Sequence, residues 1–454
     1  MYESNHLLIV LVEEKCAFQR KGVLPLKFVV IGAGIAGLST AIALCKVGHQ
    51  VLVLEREARF NDAAKGGCRM SPNMIRILYQ WGLRDKIRQV SVRSKGTSLM
   101  LFESEEYLGK YRWQDEVMRE LEADFAFVQY ADLRRLLYET ALHCGASVRF
   151  SAHAIDADPI VARIVLESGE CLNCDVVVGA DGTCGLTRKM MLGVDFEGKK
   201  KLQLMKMYST TVSKEVIQND PDLSYLYKHE YGEQSDFMMC IYGPYEWESA
   251  LKGAGPSFQK LARLVFSSPS ISCAPIGNES VLDDWTTGRL VVIGSAAHPL
   301  PSGSSQSLAL SIEDGVALAR QFSRVRYEGQ IERFLSAFED IRMPRSMAIH
   351  AKEIGMVHYM SMQASEEQEL RDQSLRAKRD CGINPYGLSF MSRASCPEWV
   401  EMVEIYGYCI EDAVDDWWAT WGNLDEKSRA NGEMPSTASI RVSIDSFISD
   451  VHES

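Results

Sequence analysis

Phe28-Val29-Val30-Ile31-Gly32-Ala33-Gly34-Ile35-Ala36-Gly37 is the stretch that decides the fold. Four apolar residues make a buried strand, glycines follow at G-x-G-x-x-G spacing, and Ile35 to Val47 reads as a helix closed by Gly48 in the C′ role. Val51-Leu52-Val53-Leu54 is a second strand, so the segment is a βαβ unit whose crossover should be right-handed. In this setting the first glycine permits a tight turn, the second lets backbone approach a pyrophosphate, and the third lets helix pack closely on strand. The anion would then face the positive end of the helix dipole. Gly32, Ala33, Gly34, Ile35, Ala36 and Gly37 are therefore candidate cofactor-binding residues, with Arg56 beside them. Glu55, 18 residues after Gly37 at the end of the second strand, is placed to bind a ribose hydroxyl. The spacing does not by itself separate NAD from FAD.

Further along, Ser71-Pro72 opens a helix as N-cap and first-turn residue, with Ile75, Leu78 and Trp81 at helical spacing. A second helix runs from Asp132, its apolar stripe made by Leu133, Leu136, Leu137 and Ala141. Val161 to Val165 alternates as a strand does, and Val176-Val177-Val178 is a fully apolar strand that leads into Gly179-Ala180-Asp181-Gly182. Arg289 to Gly294 is another strand and Ile312 to Val325 a helix. Beyond Met343-Pro344 the pattern is mostly helical to about Trp421, with mixed charges at Glu366 to Arg379.

Composition bounds the function. At 454 residues, with 46% hydrophobic and 24% charged residues, the chain is a globular protein of at least two lobes. A net charge of -12 argues against a nucleic-acid partner, whose phosphates require clustered Lys and Arg. The apolar run Leu7 to Val12 falls well short of the roughly 20 residues that span a bilayer, and no basic n-region or cleavage site marks a signal peptide. Twelve scattered cysteines fit reduced thiols and a cytoplasmic location. The pair Cys171 and Cys174 has C-x-x-C spacing, but it precedes a strand and has no second pair, so it reads as accidental. No metal-ligand cluster stands out, and a small-molecule substrate is the expected partner.

Taken together, Gly32 to Gly37, Asp181-Gly182 and Gly294-Ser295-Ala296-Ala297-His298-Pro299 resemble the FAD-dependent monooxygenases that include salicylate and para-hydroxybenzoate hydroxylases. Gly66-Gly67-Cys68-Arg69-Met70-Ser71-Pro72-Asn73, Ile312-Glu313-Asp314-Gly315 and Arg342-Met343-Pro344-Arg345 are similar to further motifs of that family. The resemblance covers most of residues 27–425. It implies an α/β fold: a Rossmann-like FAD-binding domain with a mixed, mainly parallel sheet, an interleaved substrate-lobe β-sheet and C-terminal helices. On this pattern 1–26 is an N-terminal extension outside the fold. Residues 27–95, 125–199 and 285–360 make the FAD-binding domain, 96–124 and 200–284 the substrate lobe, 361–430 a helical region and 431–454 a flexible tail. The segment from Asp236 to Trp285 is shorter than the family's substrate-lobe sheet. The resemblance also implies cofactor roles for Gly67, Arg69, Tyr130, Asp181, Gly182, Gly294, Ser295 and Ser307.

Three departures fall where the family holds flavin. Ser295 stands for an acid, Ser305-Gln306-Ser307 for a Gly-Gln-Gly turn, and Tyr130 for a flavin-facing arginine. His298 reads as a packing and hydrogen-bonding residue rather than a catalyst, and Tyr208, Tyr242 and Tyr245 as core or rim of the substrate lobe. The implied reaction is oxygenation: flavin reduced by NADPH or NADH, itself bound transiently because only one G-x-G-x-x-G is present, reacts with O2. The resulting C4a-hydroperoxide hydroxylates or epoxidises a small aromatic or polyketide- or terpenoid-like molecule, as in secondary metabolism. The cofactor supplies the chemistry, so no catalytic side chain is assigned. Two other readings stay open: a degenerate homologue with weak FAD binding and no catalysis, and an NAD-dependent dehydrogenase, which leaves Asp181-Gly182 and Gly294 to Pro299 unexplained.

Overall fold

A computed structural model describes residues 22–60, 66–113, 115–193, 205–212, 214–224, 237–244, 251–267, 272–276, 281–300, 304–360, 362, 364–382 and 397–422. One unit runs to Ile410 and a second begins at Glu411. In the first, strands β1 (Lys27–Ile31), β2 (Gln50–Leu54), β8 (Ser147–Arg149), β12 (Val176–Gly179), β16 (Thr286–Thr287) and β17 (Leu290–Val292) form a six-stranded sheet of order β16-β17-β12-β1-β2-β8. All neighbours are parallel except the β16-β17 edge pair. Val176 to Val178 and Phe28 to Val30 are fully buried, as expected of parallel strands covered on both faces.

Two helices lie against this sheet and against each other: α1 (Ile35–Lys46) and α9 (Ser307–Phe322). Their close approach depends on Gly315, where a Cβ would come within 2.8 Å of the Thr40 backbone. The sequence places the second of these helices from Ile312, but it starts at Ser307, directly after the serine turn. Helix α5 (Tyr130–His143) buries Leu133, Leu136, Leu137 and Ala141, the stripe read from the sequence. Helix α2 (Pro72–Gln80) has Ser71 at its N-cap position, yet the Ser71 hydroxyl makes no capping bond. Helix α6 (Leu186–Leu192) follows the Asp181-Gly182 turn.

Smaller sheets flank the core. β3 (Gly67–Met70) and β4 (Ser91–Arg93), the latter following α3 (Arg84–Val90), pair with β7 (Ala126–Gln129), and β5 (Gly96–Met100) pairs with β6 (Tyr107–Arg112), which is followed by α4 (Asp115–Glu120). β9 (Ala154–Asp158), β10 (Arg163–Leu166) and β11 (Cys171–Asn173) form a meander. The alternation at Val161 to Val165 is only partly strand, because Asp158 accepts the Ile160 and Val161 N–H groups and Ala162 takes a φ of 52°, which makes a turn. β13 (Met205–Val212), β14 (Phe237–Pro244) and β15 (Ser272–Ile276) form an antiparallel sheet of order β14-β13-β15, with α7 (Lys214–Gln218) and α8 (Pro256–Ser267) in the same region.

The start of the fold differs from the reading above. Residues 22–26 belong to it: Gly22 N–H donates to Val47 O, Gln50 N–H donates to Leu26 O, and Leu26 is buried. The anchor is His49, whose Nδ1 accepts the Leu26 N–H while Nε2 donates to Phe322 O, in a ring cluster with Phe28 and Phe322. Local sequence hides this, because the residues that capture the segment come later in the chain. Helix α10 (Ile331–Met360) carries Pro344 in its interior. α11 (Glu366–Asp380) carries the mixed charges, and α12 (Pro397–Tyr406) completes the first unit's helices. In the second unit the described residues form most of α13 (Ile410–Trp417) and a π-turn to Gly422. Residues 1–21, the tail from 431 and Tyr245 lie outside the described residues.

Candidate functional site

Glycines, acids and turns singled out in the sequence converge at the carboxyl ends of β2, β1, β12 and β17, four adjacent parallel strands. Open α/β sheets bind ligands at this edge. Gly32 has φ 107°, and a Cβ there would strike Ala180 O; a Cβ on Gly37 would overlap Gly32 O. Both glycines are demanded by the protein's own packing. Gly34 is different. It has ordinary backbone angles, and among the described residues the one atom a Cβ would meet within 4 Å is the Tyr130 hydroxyl, at 3.8 Å. The space over Gly34 is open, beside the N–H groups of the first turn of α1, which have no intrahelical acceptor.

Glu55 lies at the rim of this space, mostly buried. Its Oε2 accepts the Ala33 N–H at 3.2 Å and pairs with Arg134 Nη2 at 3.2 Å, and its Oε1 accepts the Glu57 N–H. The carboxylate is thus aimed, with acceptor capacity left for a hydroxyl. Arg134 was not found by sequence reasoning. It also donates to Ala33 O at 2.8 Å and lies over the Phe60 ring, which stacks on Tyr138. The one local signal is its position, one turn after Tyr130 on the same helix face. Arg56, next to Glu55 in the chain, and Arg69, on β3 beside Gly67, are exposed.

Asp181 turns away from solvent toward α6. Its carboxylate accepts the Thr187 N–H at 3.0 Å and the Thr187 hydroxyl, and Gly185 is required because a Cβ would overlap that carboxyl. Burial raises its pKa, and the bonds from Thr187 oppose the shift. Gly182, at φ 80°, makes the turn. Arg188 ties α6 to the next strand end by donating to Ala296 O at 2.8 Å.

Gly294 has φ 57° and lies so near α1 that a Cβ would stand 2.8 Å from Ala36 Cβ. Its N–H donates to Asp314 Oδ2 at 2.9 Å. The same carboxylate binds His298 Nε2 at 2.6 Å and Arg342 Nε at 2.9 Å, and all three side chains are buried. Burial alone would push Asp314 up; attraction to His298 and Arg342, with their hydrogen bonds, brings it down to about 2. Arg342 also pairs with Glu313 at 2.9 Å, and Glu313 accepts from Asn73, which donates in turn to Gln306. His298 therefore belongs to a buried charge network that fixes the strand end carrying Gly294 and the half-buried Ser295. Ser307 is half-buried in the first turn of α9, and Ser305 is drawn aside: its N–H and hydroxyl both donate to Glu353.

These residues fit a flavin dinucleotide. The open cradle over Gly34 suits a pyrophosphate, Glu55 suits a ribose, and the buried Ser71 Oγ, Asn73 Oδ1 and Gln306 Nε2 have no partner among the described residues. Unpaired buried polar atoms are rare and point to a ligand or water. By contrast, the Cys174 thiol is pushed up to about 11 by burial and its Sγ donates to Ala162 O, while Cys171 is exposed. Among the described residues no group of three His, Cys, Asp or Glu could hold a metal, and no helix is long and apolar enough to cross a membrane.

Comparison with known proteins agrees. Residues 26–252 match the model of the FAD binding domain family. The FAD-dependent monooxygenase OpS4 of Beauveria bassiana (strain ARSEF 2860) is 25% identical over 419 residues, covering 85% of this chain and 95% of its own. The 3-amino-4-hydroxybenzoate 2-monooxygenase of Streptomyces cremeus is 23% identical over 376 residues, covering 78% and 93%. The crystal structure of FqzB superposes with a TM-score of 0.70 at 18% identity, over 92% of this chain and 97% of that one. The chain belongs to the FAD binding domain family, among its FAD-dependent, aromatic-hydroxylase-like monooxygenases.

Proposed function

We propose that this protein uses NADPH or NADH and O2 to oxygenate a small, electron-rich aromatic molecule, with polyketide- or terpenoid-like rings in the same class, in the cytoplasm. The observation that carries the reading is the strand-edge crevice, where among the described residues only the Tyr130 hydroxyl reaches the cradle over Gly34 and Glu55 is aimed beside it. Relatives that act on hydroxybenzoates favour an aromatic substrate over other classes. When bound, reduced flavin activates O2 and supplies one oxygen atom to the ring. The chain's own work is to hold and orient. The α1 N-terminus takes the pyrophosphate, Glu55 takes the adenosine ribose, and Asp181, Gly182, Gly294, Ser295 and Ser307 line the way to the flavin. The Asp314 network keeps that floor rigid. The sheet β14-β13-β15 is assigned to the substrate side, where water must be excluded. The test is turnover under labelled oxygen gas: the product should carry one labelled atom, and oxygen taken from water would refute the mechanism.

One observation favours a second reading, a flavoprotein of low affinity. Ser305 spends both its N–H and its hydroxyl on Glu353, in the turn where backbone should face the flavin ring. Flavin content of the freshly purified protein separates the two. Full occupancy supports a working oxygenase, and colourless protein that FAD cannot reconstitute supports the degenerate reading.

A further inference from the structure

Among the described residues, the Tyr130 hydroxyl is the one atom that stands over the second glycine of the cradle, 3.8 Å from where a Gly34 Cβ would lie. It also lies against the Ile35 N–H, the first of the amides that open toward an anion. Its backbone is fixed at this spot: Tyr130 follows β7 directly, and its N–H donates to Gly66 O at 2.9 Å. The nearby guanidinium, Arg134, is committed to Glu55 and to Ala33 O. An anion set down on the start of α1 would therefore come up against the phenol over Gly34.

We propose that the Tyr130 hydroxyl is a ligand of the cofactor's pyrophosphate, accepting from the Ile35 N–H and donating its own proton to a phosphate oxygen. The inference rests on the cofactor reading above and adds a residue-level assignment to it. Burial holds the phenol's pKa above its ordinary value, an effect that nearby Arg134 only partly offsets, so the group keeps the proton it must donate. The phenol passes the polarisation of the helix N-terminus one atom outward, and a neutral donor here bonds the phosphate without adding charge.

The experiment uses full-length protein stripped of flavin, as wild type and Tyr130→Phe, titrated separately with FAD, ADP and adenosine. A hydrogen bond to a charged group is worth about tenfold or more in affinity. Tyr130→Phe should therefore weaken FAD and ADP by about tenfold or more alike, because both carry the pyrophosphate, and leave adenosine unchanged. Unchanged or tighter FAD binding by the variant would overturn the proposal, since the phenol would then be idle or a competitor for the Ile35 amide. Adenosine binding lost in step with ADP would overturn it as well, showing that Tyr130 shapes the loop instead of touching phosphate. Wild type that binds none of the three probes sinks the cofactor reading itself, whereas wild type that binds FAD beside an unaffected variant sinks only the role of Tyr130.

Discussion

Gly34 and Gly37 look equivalent in the sequence, and the structure predicts opposite failures when each becomes alanine. A Cβ on Gly37 would overlap Gly32 O and lie 3.2 Å from Val30 Cγ1, atoms of the buried strand and turn that cannot step aside. Overpacking of this kind costs about 1–3 kcal/mol or more, partly offset by about 1 kcal/mol from the better helix propensity of alanine. Gly37→Ala should therefore lower the stability of the apo-protein. At Gly34 the backbone, with φ -81° and ψ -174°, suits alanine, and among the described residues nothing but the Tyr130 hydroxyl comes within 4 Å of the added Cβ. The reduced chain entropy, about 0.4–1 kcal/mol, roughly cancels the loss of a favourable N-cap residue. Gly34→Ala should thus fold as stably as wild type within about 1 kcal/mol, yet its methyl group occupies the cradle. Losing one or more charge-assisted bonds to the pyrophosphate, at about 1.5–3 kcal/mol each, predicts FAD binding weaker by about tenfold to a hundredfold. Urea unfolding of the apo-proteins and fluorescence titration with FAD read the two effects separately. A Gly34→Ala protein with wild-type FAD affinity, or one as destabilised as Gly37→Ala, would refute the reasoning.

Glu55→Gln should weaken FAD binding by about tenfold or more, and Glu55→Ala should destabilise the apo-protein by about 1–3 kcal/mol more than Glu55→Gln, because Gln keeps an oxygen to accept from Arg134 Nη2 and Ala does not; equal stability of the two variants by thermal unfolding would contradict this pairing. Burial lowers the pKa of His49 to about 4, against the pull of Phe322 O and Asp175. A depressed folded-state pKa means the neutral form holds the fold together, so stability is full above pH 6.5 and falls by about 3 kcal/mol as pH drops to 4. His49→Gln should flatten that part of the stability profile, measured by urea unfolding across the range. Ser295→Asp, which adds charge assistance at the end of β17, should raise FAD affinity by about fivefold; an unchanged Kd would show that neighbouring groups already compensate.

The sequence by itself determined the βαβ start, the end-of-strand positions of Glu55, Asp181 and Gly294, and the covered face of α5. Each of these is written in a short window, as a period of apolar residues or as a glycine at a fixed offset, because backbone geometry repeats every few residues. It also carried the roles of Gly32 and Gly37, since a tight turn and a close helix leave no room for a side chain. Only the tertiary structure decided which groups meet. Arg134 pairs with Glu55 across 79 residues, and Asn73 reaches Glu313 across 240. Ser305 is claimed by Glu353 and the Leu26 N–H by His49. Such pairings leave no local pattern, because a buried charge needs a partner only where the folded chain excludes water, and the partner can come from any segment that the packing brings near.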